Sequence, residues 1–132
     1  MVGIVAIRKL VLFLGLIASG LLSGLGLYYV VTRPVAFERP AWIGARTEED
    51  WRLRSRMARR LVADHELLGK DRAQIAALLG EPEKYSDATN AQMYYLIREE
   101  WSGIDPVRRD HLLVSTDQNG RVVKIEIVVF RK

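Results

Sequence analysis

Two histidines, His65 and His111, are the natural candidates for proton transfer in this chain, with Asp105, Asp110 and Ser102 as the carboxylates and hydroxyl nearest to such a role. Catalysis by such groups needs a nucleophile and a base within hydrogen-bond reach. The local patterns that achieve it are recognisable: a serine on a Gly-x-Ser-x-Gly elbow, a glycine-rich phosphate loop, two histidines four apart on a helix. None of these spacings occurs around the five residues. His65 has no second metal ligand at helical spacing and is read as a helix-face residue. The absence of cysteine removes thiol nucleophiles, zinc ribbons, iron–sulfur sites and disulfide scaffolds together. The expectation is a protein that is not an enzyme and holds no cofactor or metal.

What remains for function is contact chemistry. Tyr85, Tyr94, Tyr95, Trp101, Arg108 and Arg109 combine aromatic rings with guanidinium groups, the residue types that dominate protein interfaces. They cluster in and around residues 99–109, read as an exposed loop containing Trp101, Gly103 and Pro106. The same aromatics could instead complete a small core, and both readings stay open at this level.

The elements that must position these residues begin with a membrane-like segment. The 132 residues carry 20 Lys and Arg against 16 Asp and Glu, a formal net charge of +4, and the mean hydropathy is +0.01. These averages conceal two materials. Residues 10–32 hold no formal charge, every acid lies beyond them, and 13 of the 23 are Leu, Ile, Val or Phe. At about 1.5 Å per residue such a helix reaches across a hydrocarbon core of about 30 Å. Arg8, Lys9 and Arg33 bracket it, and Tyr28 and Tyr29 sit where an aromatic belt would lie. A cleaved signal peptide is the competing reading, but its apolar region is shorter, about 7–15 residues. Leu22-Ser23-Gly24 is followed by Leu25 rather than the cysteine that a lipoprotein requires. We therefore expect an uncleaved single-pass anchor over residues 1–32, in the inner membrane with the C-terminal domain outside the cytoplasm. Gly15, Ser19 and Ser23 recur at steps of four and Gly20 pairs with Gly24, a stripe through which two such helices could form a homodimer.

Beyond the anchor, Arg8 and Lys9 no longer count, and the remaining 100 residues carry a net +2, which points to no nucleic-acid partner. Residues 33–46 contain Pro34, Pro40 and Gly44 and read as a stiff linker, with Val35, Phe37, Trp42 and Ile43 docking on the domain surface or lying against lipid headgroups. A domain over residues 47–132 follows. Thr47 caps a helix that opens with Glu48, Glu49 and Asp50, presents Trp51, Met57, Ala58, Leu61, Val62, His65 and Leu68 on one side, and ends at Gly69. Asp71 and Gln74 form a capping box for a second helix, closed by Gly80 and Pro82. Residues 83–91 are a polar connection. Residues 92–99, 110–117 and 121–131 read as strands, the last two joined by a tight turn at Asn119-Gly120. In the last strand Val123, Ile125, Ile127 and Val129 form the apolar face that the helices should cover, with Leu112 and Val114 beside them. The fold class is α+β: an N-terminal transmembrane helix, then two helices on a three-stranded antiparallel sheet.

The run Leu68-Gly69-Lys70-Asp71-Arg72-Ala73-Gln74-Ile75-Ala76-Ala77-Leu78-Leu79-Gly80-Glu81-Pro82, with Tyr94 and Tyr95 in a first strand and Asp117-Gln118-Asn119-Gly120 at a hairpin, resembles the SmpA/OmlA family of small bacterial envelope proteins, the BamE-like domain. The resemblance covers residues 67–128. The family commonly has Met-Thr where Lys70-Asp71 stands, and its outer-membrane members are lipoproteins, whereas Leu25 stands here where a lipidated cysteine would. The resemblance implies the ααβββ fold and a non-catalytic accessory or scaffold role in the cell envelope, with a protein partner. The alternative is a binder of lipid or another small hydrophobic ligand.

Overall fold

The structure, a computed structural model, describes residues 17, 19–21, 23–29, 33–45, 47–85 and 91–132. It divides into two compact units, Met1–Arg33 and Pro34–Lys132.

In the first unit the described residues from 17 to 29 are helical, and the Arg33 amide closes on the Tyr29 carbonyl at 2.9 Å. Leu21, Leu25, Leu27, Tyr28 and Tyr29 are all exposed. Much of the expected span, residues 10–16, 18, 22 and 30–32, lies outside the described residues, as does Gly15. Among the described residues no helix is long and apolar enough to cross a membrane.

The second unit is α+β. Three helices precede the sheet among the described residues: α1 (Arg39–Gly44), α2 (Glu48–Asp64) and α3 (Arg72–Leu79). Four strands follow, β1 (Lys84–Tyr85), β2 (Gln92–Ser102), β3 (Asp105–Thr116) and β4 (Val122–Arg131), antiparallel in the order β1-β2-β3-β4. The helices cover one face. Met57, Ala58 and Leu61 from α2, Ile75 and Leu79 from α3, and Met93, Tyr95, Ile97, Leu112, Val114, Val122 and Ile125 from the sheet form the core with Leu67.

Both capping boxes form: Thr47 with Asp50, and Asp71 with Gln74, each exchanging two side chain to backbone bonds. The first helix stops earlier than its apolar period suggests. It ends at Asp64, and His65 takes a left-handed conformation with φ 54° as its cap, so His65 leaves the helix face and Leu68 is exposed while Leu67 turns into the core. The reason is local: Gly69 is itself left-handed with φ 77°, and the chain needs two such residues to swing from α2 back to the sheet.

Three further expectations change. The linker is not a tether. Pro40 starts α1, and Trp42 is fully buried, its indole N–H donating to the Leu79 carbonyl at 3.1 Å with the Arg54 guanidinium 4.2 Å from the ring centroid. A small domain gains more by burying a tryptophan than by leaving it on the surface. Residues 100–109 are not a loop. β2 and β3 continue through them as a hairpin arm, Trp101 opposite Pro106 and Ser102 opposite Asp105, turning at Gly103 with φ 64°. Finally, a register shift between Ser115 and Thr116 inserts a residue into β4, so Val122 is buried and Val123 exposed, the reverse of the strict alternation.

Candidate partner-contact surface

The face of the sheet away from the helices is built by the alternation of β3, which places Arg109, His111 and Leu113 opposite the core residues Leu112 and Val114. Glu83, just before β1, reaches over this face. Its carboxylate lies 2.5 Å from His111 Nε2 and 3.6 Å from the Arg109 guanidinium, and Arg109 is also ion-paired to Glu99. Tyr94 and Phe130 flank the imidazole edge-on, with centroids 6.1 Å and 5.4 Å away. Lys84 Nζ closes the group, 4.7 Å from the Tyr94 ring and 5.3 Å from the Phe130 ring. This packing buries His111 on the face that no described helix covers, and among the described residues its Nδ1 has no hydrogen-bond partner.

The five residues with catalytic chemistry are not brought together. His65 caps α2, His111 is held by Glu83, and Asp110 accepts two bonds from Arg108 at 2.8 and 3.0 Å on the helix side of the sheet. Ser102 and Asp105 face each other at the hairpin turn, where Lys132 pairs with Asp105 at 3.3 Å. Asp110 holds the Arg108 guanidinium above its ordinary range, chiefly by hydrogen bonding and then by charge, so Arg108 is a fixed cation. Among the described residues no group of three His, Asp or Glu side chains is placed to hold a metal ion.

The outer end of the β2–β3 hairpin is the apolar part of the surface. Ile104 is 92% exposed and Trp101 53%, with Val107 also exposed behind them. Glu99 ties this end to the open face, accepting from the Trp101 indole N–H at 2.9 Å and pairing with Arg109. On the helix side, Trp101 borders a cleft of about 490 Å³ whose other wall is the first turn of α2, with Glu48, Trp51 and Arg52 facing Arg98 and Glu100.

The six expected contact residues therefore do not share one surface. Trp101 stands at the hairpin end, Tyr94 and Arg109 lie on the open face, and Arg108 is on the helix side. Tyr95 is a correction: its side chain is 1% exposed within the core, because its strand parity matches Met93 and Ile97. Tyr85 pairs through its backbone with Met93, and its side chain lies outside the described residues. Sequence reading missed Trp51, Arg98, Glu83, Lys84 and Phe130. Each is brought to the surface by cross-strand register or by helix docking rather than by nearness in the chain. Of the small-residue stripe, Ser19, Gly20, Ser23 and Gly24 lie in exposed helix, with the Ser23 hydroxyl donating to the Ser19 carbonyl at 2.8 Å.

No family model, curated protein or solved structure matches the chain.

Proposed function

We propose that the chain is a membrane-anchored, non-catalytic interaction module of the bacterial cell envelope, of the SmpA/OmlA kind, with its second unit outside the cytoplasm. The observation that carries this reading is the hairpin end. An isoleucine 92% exposed stands beside a half-exposed tryptophan on the two-stranded arm of β2 and β3, an aromatic and an aliphatic side chain presented together as interface anchors are. The anchor is supported by the run of exposed leucines and tyrosines in the first unit, side chains that water solvates poorly and lipid solvates well. α2, α3 and the three long strands follow one another in the helix–helix–sheet order that the family resemblance implies, with α1 and the two-residue β1 in addition to it.

The test is crosslinking in membranes with Trp101→Ala and Ile104→Ser introduced together. Capture of the partner should fall at least tenfold while the melting temperature stays within about 2 °C, since both side chains are exposed. Undiminished capture would place the contact elsewhere. A reporter fused after Lys132 reads the side of the membrane, and a cytoplasmic signal would overturn the envelope reading.

A further inference from the structure

Among the described residues β4 is an edge strand, and its outer side is covered only at its beginning. There the Gly69 amide donates to the Val122 carbonyl at 2.8 Å, the Val122 amide donates to the Lys70 carbonyl at 2.9 Å, and Asp71 bridges Arg121. From Val123 to Arg131 no described element pairs with the outer side. This open stretch carries exposed Val123, Ile127, Val129 and Phe130 and contains no proline; the bulge at Val123, Lys124 and the helix-side Arg131 are the edge-blunting features it has, and between Ile125 and Phe130 the single charge is Glu126.

The hydrogen-bonding phase of the edge follows from the ladder. The Lys132 amide donates to the Val107 carbonyl at 3.2 Å, and the Thr116 amide donates to the Ala91 carbonyl at 2.7 Å. In an antiparallel sheet such bonds recur at every second residue. The even-numbered residues of β4 from Lys124 onward therefore bond to β3, and Ile125, Ile127, Val129 and Arg131 turn their amide and carbonyl groups outward.

We propose that this edge pairs with its own copy, antiparallel about a two-fold axis at Ile127, joining two four-stranded sheets into one of eight strands. Charge and sterics admit the strand's own copy in this register, which pairs more of the open stretch than an axis at Val129 would. About Ile127, Ile125 meets Val129 of the other copy on the helix side, and on the open side Glu126 meets Val128 and Lys124 meets Phe130. No like charges stand directly opposed, and each Glu126 is already neutralised by Lys124 of its own strand at 2.9 Å. A shift of the axis to Glu126 sets the two Glu126 side chains face to face, and a shift to Val128 sets Lys124 against Lys132. An axis at Ile125 drives residues 128–130 of one copy into the Gly69–Asp71 segment that covers Arg121 and Val122 of the other. The proposal stands on the second unit alone and is independent of the anchor and of the hairpin contact.

The test uses the full chain in mild detergent. Sedimentation should give a dimer, and Ile127→Glu and Val129→Lys, both at exposed positions, should each raise its dissociation constant at least tenfold with an unchanged circular dichroism spectrum, the melting temperature falling only by what the lost association contributed. Because the chain has no cysteine, single replacements report the register without interference. Ile127→Cys should couple to its own copy through a short bis-maleimide. Lys124→Cys should not, since two such thiols lie roughly 20 Å apart at about 3.3 Å per residue. A monomer at all accessible concentrations overturns the proposal. So does a dimer that survives both edge substitutions, which would assign association to the Ser19–Gly24 stripe or another surface, and so does coupling at Lys124→Cys without coupling at Ile127→Cys.

Discussion

At the scale of single residues, stability rests on a few backbone positions as well as on the core. Gly80 ends α3 with φ 81°, and a Cβ there would stand 2.8 Å from the Ile43 Cδ1 methyl. The methyl can yield, but the left-handed backbone cannot be relieved by repacking. Gly80→Ala should therefore cost about 1–2 kcal/mol in urea unfolding. His65 presents the opposite case: a bulky residue holds a left-handed cap that glycine adopts freely. His65→Gly should raise stability by about 0.5–1 kcal/mol, part of the left-handed penalty being returned as added freedom of the unfolded chain. Trp42 joins three elements, with its ring in the core, its N–H on Leu79 and Arg54 over its face. Trp42→Phe keeps much of the apolar volume but leaves the buried Leu79 carbonyl unpaired, and should cost about 1–3 kcal/mol by thermal or urea melting.

Among the elements, α3 is the most exposed to its ends. Eight residues are too few for a helix to persist alone in water, so its capping box and its burial of Ile75 and Leu79 act together. Asp71→Ala should cost about 1 kcal/mol, while Asp71→Asn, which also caps, should cost little, and chemical denaturation of the pair distinguishes loss of the cap from loss of charge. Asp71 also sits in the segment that covers the start of β4, so cap and edge cover are parts of one turn. The β2–β3 arm shows how element boundaries escape sequence reading. Trp101, Gly103 and Pro106 signal a loop, yet Pro106 has no amide to donate and still fits opposite Trp101 because the ladder has shifted register there. Pairing across the arm, from Arg98–Asp110 to Ser102–Asp105, outweighs the local turn signals at all but residues 103 and 104.

For the whole molecule, the chain divides at Arg33 into two compact units, and α1 packs inside the second, which is therefore expected to fold on its own. A chain starting at Pro34 should melt in one transition at an unchanged temperature, whereas one starting at Thr47, which lacks Trp42, should melt far lower or not cooperatively; circular dichroism reads both. The local instructions were plain in the sequence by itself. Both capping boxes, the helix stop at Gly80, the Asn119-Gly120 turn and the antiparallel order of the long strands follow from residue chemistry acting over four or five positions. Tertiary structure alone decided what depends on distant partners. It took Trp42 into the core and Tyr95 away from the surface, let Val122 rather than Val123 face the helices, set Glu83 against His111 across a strand, and left β4 at the edge of the sheet among the described residues. The physical reason is that capping and turn formation are satisfied by neighbours in the chain. Burial, cross-strand register and the exposure of an edge depend instead on which surfaces the folded chain brings together.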